Sequence, residues 1–347
     1  MTLVPTREVR EHDYGVPNWR LGEAPWQAIP PIATARARVI IDNDFSGDPD
    51  DLYQLVHHLL SPNVDIRAVV GSHLRDGDPF DPGPGTAANA VAVVEHVFAR
   101  MGLASTERIH RGADAPLADR STPQPSAAAR AIIDEALRDD DRPLFFVAGG
   151  GLTDLASAYL LEPRIAERMT VVWIGGREHD GLAYPPPNAM PIEYNLLIDL
   201  VAGQVVFNDS DLTVWQVPRD VYRQCLVSDA ELRLRVAAAG PVGRYLYDEV
   251  AEVVVRASGQ GRGPAETYAL GDSPLVLLTA LQSLFEADSS SSRHVVRATP
   301  ALADDGTYVE VPGAREMRVY TWVDVRLMFE DFYLKLDEFS RWQAAHS

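Results

Sequence analysis

The ten residues from Asp42 to Asp51 hold five aspartates, at positions 42, 44, 48, 50 and 51. So many carboxylates in so short a stretch repel one another unless a cation lies among them, and clustered carboxylate oxygens suit a hard divalent ion. The run Val39-Ile40-Ile41 before them is of buried-strand type, and Leu52, Leu55, Val56, Leu59 and Leu60 after them recur on one face of a helix. The acidic loop therefore joins the end of a strand to the start of a helix, which is where open α/β sheets bind ligands. A solvated turn with Asp50 and Asp51 favourably placed in the helix's first turn accounts for two of the five aspartates. An EF-hand loop matches at Asp42, Asp44, Ser46 and Gly47. It fails at Tyr53, where a bidentate Glu is required, and it follows a helix rather than a strand. A metal site uses the whole cluster.

Other polar groups stand at the ends of further apolar runs. Residues 144–148 lead into Gly149-Gly150-Gly151-Leu152-Thr153-Asp154. Glycines there let a ligand approach the backbone, whose carbonyls are good ligands for a hard cation, although a tight turn explains the segment equally well. Residues 170–174 run into Gly175-Gly176 and a loop that closes on Asn188 and Glu193-Tyr194-Asn195. Amide and carboxylate together offer the donors and acceptors that read sugar hydroxyls. Helix capping before Leu196 explains Asn195 but not Glu193. Asp272, in Gly271-Asp272-Ser273-Pro274, reads on its own as a helix N-cap. A phosphoryl-transfer enzyme of the haloacid dehalogenase type would use Asp42 as nucleophile and Asp44 as acid. That chemistry needs a well-placed lysine, and the chain's single lysine, Lys335, lies outside any suitable motif.

The elements that must position these groups follow from periodicity. Strands are predicted at 38–42, 66–70, 144–148, 170–174 and 212–217. Helices are predicted at 50–60, 87–101, 127–137, 153–161, 198–207, 230–239, 241–257, 274–285 and 329–342, with a β-rich stretch over 294–323. This alternation implies an α/β fold with an open, mostly parallel central sheet flanked by helices and a smaller β-containing C-terminal part. Residues 1–35 read as an N-terminal arm pinned by Trp19 and Trp26, with 36–347 a single domain, and 289–292 as a flexible turn. The 347 residues suffice for a large core, and 46% apolar with 23% charged residues is ordinary globular composition. A net charge of −19 excludes nucleic acid and anionic membrane surfaces as partners. One cysteine, Cys225, excludes an internal disulfide and fits a reducing cytoplasm, and no run is apolar enough for a membrane span or a signal peptide.

Taken in order, these segments resemble the nucleoside hydrolase family of the inosine–uridine-preferring type. Asp42-Asn43-Asp44…Asp50-Asp51 is similar to the family's Asp-x-Asp-Pro-Gly-x-Asp-Asp motif, and Gly112-Ala113-Asp114-Ala115-Pro116-Leu117 to its Gly-Ala-Asp-x-Pro-Leu turn. Gly150-Gly151-Leu152-Thr153-Asp154-Leu155-Ala156 resembles its Gly-Pro-Leu-Thr-Asn-Leu-Ala. Glu193-Tyr194-Asn195 with Asp199 resembles its Glu-Phe-Asn…Asp, and Asp272 the Asp of its late His-Asp pair. Each motif is weak alone, and the ordered set, over roughly 36–340, is specific.

The resemblance implies Ca²⁺-dependent hydrolysis of the N-glycosidic bond of a ribonucleoside or related N-riboside by a homodimer or homotetramer. By carry-over, Asp44, Asp51, Asp272 and the Gly149 carbonyl would ligate the ion, and Asp44 would accept the proton of the attacking water. Asp50 would grip the 2′-hydroxyl, Asn195 and Asn188 would bind ribose hydroxyls, and Glu193 would reach the 5′-hydroxyl. Asp42 would stand behind the ligands. The departures cluster in the leaving-group half. The acidic loop is two residues longer than the family pattern, the late His is Gly271, Ser72 and His73 stand where an Asn is usual, and the His-Gly-x-x-Gly-Leu loop near 118–126 is replaced by Pro- and Ser-rich chain. A calcium- and sugar-binding protein without turnover is the alternative these departures imply.

Overall fold

The computed structural model describes residues 14–27, 35–257, 265–283 and 291–347. Among them, eight strands form one sheet in the order β3-β2-β1-β4-β5-β6-β12-β9. They are β1 (Ala37–Asn43), β2 (Val64–Gly71), β3 (Ile109–Arg111), β4 (Leu144–Ala148), β5 (Thr170–Ile174), β6 (Thr213–Val217), β9 (Ser292–Ala298) and β12 (Glu316–Val323). Two antiparallel pairs lie outside it, β7 (Leu226–Ser228) with β8 (Thr267–Ala269), and β10 (Ala301–Leu302) with β11 (Tyr308–Val309). All pairings in the large sheet are parallel except β12 with β9. The mostly parallel α/β architecture read from the sequence is the one observed.

β1 is buried along its whole length, as its unbroken apolar run requires, and successive side chains serve opposite faces. Val39 and Ile41 pack with α1 (Asp50–Leu59) and α2 (Thr86–Met101), whereas Ile40 packs with α3 (Ala127–Ala136) and α4 (Thr153–Leu161). The chain runs from β1 outward to β2 and β3, then returns to β4 on the other side of β1. The strand order therefore reverses between β1 and β4, and the loops leaving these two strands diverge there. The acidic loop and the Gly149–Gly151 turn are those two loops.

Several boundaries differ from the periodicity. The predicted helix at 198–207 is broken at Asp199, whose carboxylate accepts the Ala202 N–H at 2.8 Å and so separates α5 (Tyr194–Ile198) from α6 (Leu200–Gln204). α7 (Arg219–Tyr222) is a short helix outside the predicted set, and α8 (Asp229–Glu231) opens on a Ser228–Glu231 capping box. After α9 (Gly240–Ala257) comes α10 (Pro274–Thr279), shorter than expected. The expected residues 284–285 of that helix, 289–290 of the predicted turn, and 1–13 and 28–34 of the arm lie outside the described residues. α11 (Val325–His346) begins four residues early because Asp324 caps the Leu327 N–H at 2.9 Å. Trp19 and Trp26 seat 14–27 on the body. Trp19 is buried with its indole N–H donating to the Met101 carbonyl at 2.7 Å, and Trp26 packs edge-on against Phe339. Among the described residues no helix is long and apolar enough to cross a membrane.

Candidate active site

β1 delivers Asp42 and Asn43 to the reversal point, and the loop that follows carries Asp44 and Asp48 to the first turn of α1, where Asp50 and Asp51 sit. β4 delivers Gly149 and Gly150 beside them. A Cβ at Gly149 would meet Asp272 Oδ2 at 2.0 Å, and one at Gly150 would meet Asp44 Oδ1 at 2.7 Å, so only glycine lets both carboxylates lie against this backbone. Asp272 arrives from the segment before α10. Its Oδ2 accepts the Asn43 amide at 2.6 Å, and its backbone N–H donates to Asp50 Oδ2 at 3.2 Å. The Asn195 amide donates to the carbonyls of Gly149 at 2.6 Å and Ile174 at 2.9 Å, tying α5 to the ends of β4 and β5. The structure thus brings Asp44, Asp50, Gly149, Asn195 and Asp272 together, with Asp51 buried beside Asp50.

Glu193 is the N-cap of α5, which corrects the expectation that capping would not account for it. Its Oε2 accepts the Leu196 N–H at 3.2 Å and the Gly176 N–H at 2.7 Å, and its Oε1 accepts the Tyr222 hydroxyl at 2.8 Å. Asn188 stands apart. It is exposed, adopts a left-handed φ of 61°, and its side chain makes no hydrogen bond among the described residues.

Burial and crowding set the electrostatics. Burial raises the Asp44 pKa to about 7, with Asp78, Asp48 and Glu193 adding to the rise. Asp48 is pushed up to about 6 by burial, against a hydrogen bond from Tyr268. Burial followed by Asp272 raises Asp50, and burial followed by Asp44 raises Asp272 despite the Asn43 amide. Asp42 is raised by burial and by Asp154, and neither of its oxygens accepts a hydrogen bond of ordinary geometry. A buried, all-oxygen donor set in which each carboxylate opposes its neighbour's ionisation matches what a hard dication relieves. The donors fit such an ion in kind, although among the described residues no three acidic, imidazole or thiol side chains converge as a ready-made cage.

Asp78, Tyr222 and Tyr268 carry no mark in the sequence, and Tyr194 is marked only by its place in Glu193-Tyr194-Asn195. Asp78 is buried, pairs with Arg75 at 3.3 Å, and accepts the Tyr194 hydroxyl at 2.6 Å. Tyr268 donates to Asp48 and Tyr222 to Glu193. In the sequence Asp78 belongs to an ordinary Asp-Gly-Asp-Pro turn, and nothing local marks Tyr222 or Tyr268. The histidines are committed elsewhere. His73 is buried between the Leu74 carbonyl and the Thr153 hydroxyl, and Thr153 donates to Asp199 at 2.7 Å. His179 Nε2 is bonded to Gln216 Oε1 at 2.8 Å while its ring stacks on Tyr308. Asp154 clasps the Ala113 N–H and the Ser126 hydroxyl and so serves the fold. Lys335 pairs with Asp331 and Ser61 at the far end of α1, which removes the phosphoryl-transfer alternative.

Fold and site together define an open α/β protein with a carboxylate-rich crevice at its strand reversal. Residues 39–330 match the family model described as inosine-uridine preferring nucleoside hydrolase, and the chain belongs to that family. It is 30% identical over 223 residues to the inosine-uridine preferring nucleoside hydrolase of Leishmania major, covering 62% of this chain and 65% of that protein. It is 40% identical over 92 residues to the corresponding Crithidia fasciculata protein, covering 26% of each. These matches therefore span less than two thirds of either relative's length. In structure it is similar to a purine-preferring ribonucleoside hydrolase from Gardnerella vaginalis, with a TM-score of 0.67, 17% identity, and coverage of 88% of this chain and 99% of that one. At that identity the likeness shows the fold.

Proposed function

We propose that this protein hydrolyses the N-glycosidic bond of a ribonucleoside or related N-riboside, giving ribose and the free base, with Ca²⁺ as its cation. The observation that carries this is the convergence of Asp44, Asp50, Asn195 and Asp272 on the Gly149–Gly150 backbone in a chain of this family. Asp44, Asp51, Asp272 and the Gly149 carbonyl would hold the ion. When bound, it supplies a Lewis acid that anchors sugar hydroxyls and makes water more acidic.

The chain's own groups do the rest. N-glycoside cleavage builds positive charge on the sugar, and the surrounding carboxylates stabilise it. Asp44, its carboxylate held against the Gly150 backbone, is suited to accept the proton of the attacking water. Asp50 takes the 2′-hydroxyl. Asn195, its amide N–H groups fixed by two carbonyls, presents its oxygen to a ribose hydroxyl. Glu193 takes the 5′-hydroxyl. Asn188 has no contact with this group and is given no part.

Departure of the base is the weak half. Position 271 is glycine, both ring nitrogens of His73 are occupied, and His179 is engaged through Nε2. The favoured substrate is therefore one whose leaving group is stable as an anion. A reducing-sugar assay on p-nitrophenyl riboside, inosine and uridine with millimolar calcium tests this. The expected result is p-nitrophenyl riboside turned over at least about 10²-fold faster than either nucleoside, the scale of one proton donor. Rapid inosine hydrolysis would overturn the leaving-group argument. Calcium and sugar binding with no release from any riboside would establish the alternative, a binding protein without turnover, which Gly271 favours.

A further inference from the structure

Gly271 has a partner. A Cβ at 271 would lie 3.3 Å from Tyr222 Cδ2, 3.6 Å from Tyr222 Cβ and 3.2 Å from Asp50 Oδ2, so the position is bordered by an aromatic ring and a carboxylate. The backbone fixes that juxtaposition. The Tyr222 N–H donates to the Pro218 carbonyl at 3.1 Å, and the Leu270 N–H donates to the Cys225 carbonyl at 2.8 Å, joining the end of α7 to the segment that carries Gly271 and Asp272. Pairing of β7 with β8 continues the join. At the start of α7, buried Arg219 grips both oxygens of Glu178, at 2.8 and 2.6 Å, and its backbone N–H donates to the Gly176 carbonyl at 3.0 Å. Tyr222 is thereby held with its hydroxyl 2.8 Å from Glu193 Oε1. The other Glu193 oxygen is taken by the Gly176 and Leu196 N–H groups, so Oε1 is the oxygen left for a substrate and Tyr222 is what orients it.

We propose that Tyr222 is the positioning residue of Glu193: its O–H fixes the carboxylate for a sugar hydroxyl, and its ring takes the space a side chain at 271 would use. This rests on the N-riboside reading above and extends it. A side chain at 271 would start 3.3 Å from the Tyr222 ring, so an imidazole there requires that ring to give way.

Two measurements on the full chain test it. The first is the melting temperature of wild type, Gly271→His, Tyr222→Ala and the double variant, which needs no turnover. Gly271→His is expected to lower it by about 5 °C through overpacking, and by clearly less once Tyr222 is alanine, with the Asp50 contact remaining. Additive effects would overturn the shared-space half. The second is kcat and KM of wild type and Tyr222→Phe on p-nitrophenyl riboside and its 5-deoxy analogue. Tyr222→Phe keeps the ring and is expected to raise KM about 10-fold on the hydroxylated substrate, and under about twofold on the deoxy one. Equal losses on both, or none, would overturn the positioning role. Wild type that turns over neither of these O-ribosides, and neither inosine nor uridine, would refute the N-riboside reading and the 5′-hydroxyl role together, while coupled melting temperatures would still uphold the packing of Tyr222 against Gly271.

Discussion

Asp44 owes its character to its neighbours more than to its own chemistry. A carboxylate on a solvated loop ionises near pH 4. Here burial, with Asp78, Asp48 and Glu193 around it, brings Asp44 to about 7. Its position depends in turn on Gly150, where a Cβ would stand 2.7 Å from Asp44 Oδ1. Gly150→Ala must therefore displace the carboxylate, and misplacing a catalytic group by about 1 Å costs on the order of 10²-fold. We expect kcat on p-nitrophenyl riboside to fall by about that factor with little change in melting temperature, and an unchanged kcat would show that Asp44 is not held by this contact. The aspartates and glycines were legible in the sequence because their types and spacing are unusual. Asp78, Tyr222, Tyr268 and the hydroxyl contact of Tyr194 were not, because their roles arise from pairing across large sequence separations, and no single segment carries the signal.

At the scale of elements, the strands that feed the site read correctly because buried parallel strands are continuous apolar runs. The helices read less well wherever a side chain cuts the backbone ladder. Asp199 divides α5 from α6, and Asp324 starts α11 early. α1 links the site to the rest of the fold through its outer face. His57, near its C-terminal end, is buried against the Phe332 ring with Nε2 2.8 Å from Asp331, which also pairs with Lys335. Burial outweighs the Asp331 hydrogen bond and lowers the His57 pKa from 6.5 to about 4. The unfolded chain therefore takes up a proton at this site before the folded one does. The resulting stability is complete above pH 6.5 and is lost as pH falls toward about 4, a change of up to about 3 kcal/mol. Melting temperature should fall over that window, and His57→Gln, which keeps a donor but does not titrate, should flatten the fall. Identical slopes in the two proteins would place the acid sensitivity elsewhere.

For the whole molecule, the reversal of strand order between β1 and β4 is the feature from which the site follows. It gathers loops from β1, β4, β5 and β6, and the segment before α10, around one crevice, so that residues more than two hundred positions apart share hydrogen bonds, as Asn43 and Asp272 do. Ordered motifs made this legible, since a run of weak matches in one sequence order implies one topology. What the order of motifs did not carry was the direction of each side chain, and Asn188, expected at the sugar, is exposed on a turn. Asp44 acting as base in a cation-dependent cleavage is the step on which the proposed function turns. It is tested most directly by initial rates on p-nitrophenyl riboside for wild type and Asp44→Asn, each after EDTA treatment and after return of calcium. Wild-type turnover should be lost in EDTA and restored by calcium, and the kcat of Asp44→Asn should be lower by about 10²–10⁴ with calcium present. Wild-type turnover unaffected by EDTA, or Asp44→Asn running at the wild-type rate, would contradict it.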